Sequence, residues 1–312
     1  MSGRQRWYLP MAAVAGVALL GYTIASVGPR ELLTQLRSLA PVMPLLLALA
    51  GLRFLCQAAG WRLAMAAEQR PRWGETFGAV VAGEAAGYFA WGPVSREPMK
   101  ALLVGHRLPE RAALAAAVFE RFVYTIAAAL LILLGIVLAA VRFHFVGWLL
   151  GGLALTATLA LTATRYWRRV SGDLRRHRSS LAAIAACAAA QEISNLVEAY
   201  LVLAWLGAAP AMSAIVVLEG ISRLMNGAGQ FIPGKLGVTE AATAALADGL
   251  RLGSAHGLSL ALARRARSLA WGAIGIAVIT VRAVKWQVLV NDAIRYLGRR
   301  GAVAVQTRGL FH

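Results

Sequence analysis

The chain has 312 residues, 59% of them hydrophobic and 15% charged, with a mean hydropathy of +0.63. Soluble domains run about 45–50% apolar with about 25% charged residues, so this composition belongs to an integral membrane protein. The formal net charge of +18 does not indicate nucleic acid, because no basic face interleaved with aromatics and no nucleic-acid motif accompanies it. The arginines instead collect in short loops, where topology and anionic headgroups call for them.

In chain order, Arg4 and Arg6 precede an apolar run from about Tyr8 to Val27. A signal peptide is the alternative, but about 20 residues are enough to span and no small-x-small cleavage site follows. The run reads as a first transmembrane helix, ended by Gly28-Pro29, with a short amphipathic helix at 30–40. A second helix runs from about Val42 to Ala66, with Arg53 and Gln57 four apart on one face. A basic, aromatic loop at 68–74 leads to an interrupted segment at about 75–107, whose second half bears Arg96, Glu97, Lys100 and Arg107. Pro109-Glu110 starts a third helix, to about Ala140, carrying Glu120 and Arg121. A fourth helix covers about Val146 to Thr164, followed by the most basic loop, 165–178, read as a solvated loop against anionic lipid. The fifth helix, Ser180 to Leu206, carries a polar stripe of Glu192, Asn195 and Glu198. A second interrupted segment covers about 212–250, with Glu219 and Arg223 leading into it. The sixth helix, about Ala255 to Val281, contains Arg264, Arg265 and Arg267, and a basic tail with an amphipathic run (Trp286 to Tyr296) follows.

The two interrupted segments organise this pattern. Asn226-Gly-Ala-Gly-Gln-Phe-Ile-Pro-Gly-Lys-Leu-Gly-Val-Thr-Glu240 is broken by Pro233, Gly234, Gly237 and further glycines. It is either an ordinary loop or a re-entrant hairpin, since broken backbone at membrane depth is tolerated only where protein buries it or a water-filled cavity meets it. A second copy favours the hairpin. Gly83-Glu-Ala-Ala-Gly-Tyr-Phe-Ala-Trp-Gly-Pro-Val-Ser-Arg-Glu97 breaks at Gly92-Pro93, and Phe89/Phe231, Glu97/Glu240 and Arg121/Arg264 recur at spacings of 142 or 143 residues. Paired Gly/Pro-interrupted segments in matching halves mark a transporter-type site. The expected fold is thus an all-α integral membrane protein of about six transmembrane helices plus two re-entrant helical hairpins, in two inverted-topology repeats. It forms a single membrane domain over 1–312, with repeats at about 42–141 and 180–282 and a basic amphipathic tail at 283–312. The loop arginines put both termini on the cytoplasmic side.

Arg264, Arg265 and Arg267 occupy about one helical turn, and a central Arg costs about 2.5–3.5 kcal/mol on insertion scales. Two readings stand side by side. Either the arginines, with Arg121, Arg223, Arg96 and Lys235, line a basic cavity for a phosphate or other anionic headgroup, or they pair with glutamates and knit the repeats together. Glu97, Glu240, Glu120 and Glu192 are the supporting or counter-charges. For Glu97 and Glu240 helix-start capping is favoured over pairing or proton carriage. Lys235 contacts ligand or snorkels to the interface. No Cys/His cluster has metal spacing, so no metal or cofactor is expected. Cys56 and Cys187 read as buried free thiols, and no phosphate-binding Gly-x-x-x-x-Gly-Lys-[Ser/Thr] loop is present.

The runs Gln230-Phe-Ile-Pro-Gly-Lys-Leu-Gly-Val-Thr-Glu-Ala241 and Leu258-Ser-Leu-Ala-Leu-Ala-Arg-Arg-Ala-Arg267 resemble the transmembrane region of lysylphosphatidylglycerol synthases and the wider flippase-like family, over about residues 40–285. The second half is most similar to members associated with hopanoid biosynthesis. The first half departs, with Tyr88-Phe-Ala-Trp-Gly-Pro93 where many members have Asn-x-x-x-Pro-Gly. The resemblance implies a lipid flippase of a bacterial-type cytoplasmic (inner) membrane, moving an anionic or phosphate-bearing (glyco)lipid by alternating access. With no segment for the soluble aminoacyl-transfer domain, the chain is not expected to act as an enzyme. The alternatives are a non-transporting subunit beside a lipid- or hopanoid-synthesis enzyme and, less favoured, a lipid-modifying membrane enzyme. An oligomer is left open.

Overall fold

In a computed structural model the structure describes residues 29–89, 93–105, 109–143, 178–228 and 237–281, with Tyr22 and Ala25. The expected first helix apart from Tyr22 and Ala25, the expected fourth helix, the 165–177 stretch of the basic loop, the C-terminal tail, Arg107, Gly92, Pro233, Gly234 and Lys235 lie outside the described residues. Among the described residues all regular structure is helical: α1 (Pro29–Ser38), α2 (Met43–Leu63), α3 (Trp73–Phe89), α4 (Pro93–Val104), α5 (Glu110–Phe143), α6 (Arg178–Trp205), α7 (Met212–Ala228), α8 (Val238–Gly249) and α9 (Ser254–Val281). Three of them, α2, α5 and α6, contain stretches long and apolar enough to cross a membrane. At about 1.5 Å per residue, the 21 residues of α2 reach about the thickness of a hydrocarbon core. α9 is 28 residues long, but its three arginines interrupt the apolar run.

Local chemistry sets the ends. Pro29 opens α1 and Pro93 opens α4; a first-turn position wastes no donor. Pro98 sits inside α4, which the sequence pattern did not single out. α6 closes in a Schellman turn: Gly207 takes φ +85°, its N–H donates to the Ala204 carbonyl, and Ala208 N–H donates to the Leu203 carbonyl, both at 3.0 Å. Gly237 precedes α8 at φ +76°, where a side chain would be strained. Each interrupted segment is thus a 17-residue helix followed by a 12-residue helix, α3–α4 and α7–α8.

The chain divides into two compact units whose boundaries run through α2, α5 and α9. The first comprises residues 1–60 and 119–269. Its core gathers Leu39 and Leu46 with Val202 and Leu203 of α6, Ile215, Leu218 and Ile221 of α7, and Leu260 of α9. Helices approach closely through small residues, as expected where lipid supplies no hydrophobic drive between helices. Gly220 of α7 lies against Gly135 and the Leu131 carbonyl of α5, and Gly257 of α9 against Ala247 and the Thr243 carbonyl of α8. Cys56 and Cys187 are free thiols, half-buried rather than buried.

The second unit comprises residues 61–118 and 270–312. α3 and α4 pack side by side, Gly83 leaving room for the stem of Lys100 and the Arg96 carbonyl. The end of α9 lies on α3 through Gly272 against Phe89 and Gly275 against Val81 and Ala85, with Phe77 and Trp271 edge to face at 6.1 Å. Trp61 Nε1 donates to the Ala113 carbonyl at 3.2 Å.

A Cβ on Gly257 would stand 2.5 Å from both the Ala247 Cβ and the Thr243 carbonyl oxygen. Gly257→Val is therefore expected to cost about 1–3 kcal/mol by overpacking and to lower the thermal midpoint in detergent. Gly74→Ala, with nothing within 4 Å, leaves that midpoint unchanged or slightly raised.

Candidate functional site

The polar residues of the first unit converge from five helices. Glu192, Asn195 and Glu198, at successive steps of three along α6, share one helix face and are all buried. α7 brings Glu219 and Arg223, four apart, to meet them, and α9 brings Arg264 and Arg267 from one side of a single turn. α2 adds Arg53 and α5 adds Tyr124.

The pairing is specific. Arg223 holds Glu192 with both ends of its fork, Nη1 to Oε1 at 3.0 Å and Nη2 to Oε2 at 2.6 Å, while Nη1 also reaches the Tyr124 hydroxyl at 2.9 Å. Arg264 donates from Nε to Glu198 at 3.0 Å and from Nη2 to the Asn195 carbonyl at 3.2 Å, and its Nη2 forms an ion pair with Glu219 at 2.7 Å. Glu198 turns its other oxygen to Arg267, so one buried carboxylate serves two guanidiniums. Arg53 donates to the Asn195 side-chain oxygen at 2.7 Å, and the Asn195 amide donates back to the Gln191 carbonyl at 2.9 Å. Arg265, one position round α9, pairs instead with Glu240 of α8 at 2.5 Å.

Of the sequence candidates, Arg264, Arg267, Arg223 and Glu192 thus share one network, with Arg265 and Glu240 forming an adjacent pair. Glu240 was expected chiefly as a helix-start cap. No side chain caps α8, and Glu240 is spent on Arg265 because a buried carboxylate gains more from a guanidinium than from one backbone donor. Arg121 lies over the Tyr124 ring at 4.7 Å, and Glu120 is buried with its stem against Gly60. Arg96 and Glu97 belong to the second unit, where Arg96 pairs with Glu84 at 3.1 Å and Glu97 with the fully buried Lys100 at 2.8 Å. Of the hairpin-break residues, Pro93 and Gly237 stand at the starts of α4 and α8.

Glu198, Glu219, Asn195, Arg53 and Tyr124 complete the network and were not among the candidate site residues. The three-residue stripe on α6 was the available signal for two of them. Tyr124 carried a weaker one, lying one turn beyond Glu120-Arg121. Among the described residues no group of His, Cys, Asp and Glu is arranged to hold a metal ion. What the arrangement offers is a set of guanidinium forks, Arg223, Arg264 and Arg267, anchored by the carboxylates of Glu192, Glu198 and Glu219.

Membrane-length helices joined to a buried acid–base network define a multi-pass helical membrane protein with an ion-paired polar interior. Residues 10–275 match the family model described as the lysylphosphatidylglycerol synthase TM region, and the chain belongs to that family. It is accordingly a membrane protein of lipid-related function. No curated protein and no solved structure matches it.

Removing one partner of a buried ion pair leaves an uncompensated charge, at about 3–5 kcal/mol. Glu198→Gln strands two guanidiniums and is expected to be among the most destabilising single changes in the network, read as a lowered unfolding midpoint in mixed micelles. Glu240→Gln and Arg265→Gln are each destabilising alone. The double variant loses less than their sum, and a double-mutant cycle measures that coupling.

Proposed function

We infer that the chain translocates a lipid whose headgroup carries a phosphate or another oxyanion, and that the α9 arginines receive that headgroup. One observation carries the reading: in each pair of the first unit with a partly open member, the cation is the open one. The Arg264 side chain is 21% accessible while Glu198 and Glu219 are at 2% and 4%. Arg265 is at 18% against 1% for Glu240, and Arg223 at 18% against 8% for Glu192. A guanidinium has five N–H donors, and a carboxylate behind it occupies two at most. An incoming phosphate meets the remaining donors without unseating the glutamate. The carboxylates hold the forks in place, and the headgroup binds in front of them.

In this reading α3–α4 and α7–α8 are re-entrant hairpins in two inverted repeats, both termini are cytoplasmic, and the membrane is the bacterial cytoplasmic membrane. The acyl chains remain in the bilayer, and the protein makes and breaks no covalent bond. A second reading, a non-transporting subunit beside a lipid-synthesis enzyme, draws on Arg267, which is buried and already matched by Glu198 and so needs no ligand.

Reconstitution into liposomes with fluorescent lipids of different headgroup charge tests the first reading. Wild type should flip the anionic lipid selectively. Arg264→Ala plus Arg265→Ala should slow it about ten- to hundred-fold, the equivalent of one or two lost charge-assisted hydrogen bonds. Arg264→Lys plus Arg265→Lys, which keeps charge but loses the fork, should recover only part of the rate. Equal flipping by the alanine variant removes the arginines from transport. No flipping of any lipid by wild type, with co-purification of a synthase, establishes the subunit reading.

A further inference from the structure

α2 ends at Leu63, and the chain turns through a short 3-10 segment, Ala67–Gln69, into α3, whose first residue is Trp73. Arg62 and Trp73 stack at this turn, and Arg70 lies on it. The Arg62 guanidinium stands 4.7 Å from the centre of the Trp73 ring. Arg70 lies near enough for its charge to act on Arg62, and its Nε donates to the Met65 carbonyl at 3.4 Å. Arg62 Nη1 is buried and meets no hydrogen-bond acceptor among the described residues. Nor does either arginine have a carboxylate partner among them: Glu68 is exposed on the turn, and Glu75 accepts the backbone N–H of Arg72 at 3.0 Å.

By contrast, Arg96, Arg223, Arg264, Arg265 and Arg267 each hold a glutamate. Two neighbouring guanidiniums with a buried, unmet donor repel one another, and an anion placed against both relieves the repulsion and satisfies the donor. The donor geometry suits phosphate oxygens. Trp73 identifies the setting. It is 54% exposed and stacks on Arg62 in the last turn of the membrane-length α2, the level at which tryptophan sits among lipid headgroups.

We propose that Arg62, Arg70 and Trp73 form a binding site for a phosphate oxyanion, carried by an anionic lipid of the leaflet that meets this end of α2. The site is separate from the first unit's network and stands whether or not the chain translocates lipid.

The full chain is placed in phosphatidylcholine vesicles doped with brominated phosphatidylglycerol or, in the control arm, brominated phosphatidylcholine. The difference between wild type and Trp73→Phe isolates the Trp73 fluorescence. Quenching by the anionic brominated lipid should exceed the control severalfold. Arg62→Gln and Arg70→Gln should each abolish that preference, and Arg72→Gln, outside the cluster, should keep it. Arg70 lies on the turn rather than in a helix, so its variant keeps the test intact if Arg62→Gln fails to fold. A last arm adds inorganic phosphate. Phosphate that removes the preference at millimolar concentration supports the oxyanion site and rejects the lipid as its source. Equal quenching by the two lipids, or a preference that survives in both Gln variants, overturns the site.

Discussion

A buried charge must be compensated where it stands, and Glu198 carries this requirement for the first unit. One carboxylate on α6 meets Arg264 and Arg267, which lie three apart on α9, and Arg264 in turn reaches Glu219 on α7. The guanidiniums are held because the carboxylates stand behind them, and α6, α7 and α9 keep their rotation because any other would bury a charge unpaired. In apolar surroundings such pairing is a condition of assembly more than a net gain in stability, since the desolvation cost offsets much of the Coulomb attraction. It fixes which helix faces meet, a choice that Leu, Ile and Val side chains alone leave loosely specified.

The second unit meets the same constraint on a smaller scale. Lys100 has no exposure, pairs with Glu97 one turn away and lies 5.9 Å from the Trp61 ring. Gly83 is what lets it lie there, since a Cβ would stand 2.8 Å from the Lys100 stem. Closeness of α3 and α4 and burial of the lysine are therefore one structural fact. Arg96 and Glu84 join the same two helices at their partly open edge.

Much of this was legible in the sequence, for reasons that differ by element. Membrane-length helices announce themselves by apolar length, so α2, α5, α6 and α9 were found within a few residues of their ends. Each interruption falls between two described helices, α3 and α4 or α7 and α8, where Gly and Pro break the apolar pattern. Pairing partners were harder. The α6 stripe gave Glu192 and Glu198 as inward-facing, but which arginine each would meet depends on helix rotation and crossing, which are set by contacts such as Gly135 on Gly220 that no single-helix pattern encodes. Asn195 was seen as part of a stripe and not as a junction, because an amide that accepts from Arg53 while its backbone carbonyl accepts from Arg264 has no signature beyond its spacing. Glu240 was misread as chiefly a cap because the first turn of a helix is where an acid most often serves that role, and only the close approach of α9 through Gly257 makes a buried partner available.

The order of the helices along the chain has a consequence for how the protein is made. Glu192, Glu198, Glu219 and Glu240 all precede the arginines of α9, so during synthesis every carboxylate emerges before the cations that α9 supplies. Arg223 is made in time to meet Glu192, but Glu198, Glu219 and Glu240 must wait for α9. Until then they lack the partners that α9 brings, and an unpaired charge in an apolar setting is costly. α9 is thus the closing element of biogenesis, and a ribosome that stalls before Arg264 leaves behind a chain carrying the chemical mark of an unfinished membrane protein, acidic groups with nothing to hold.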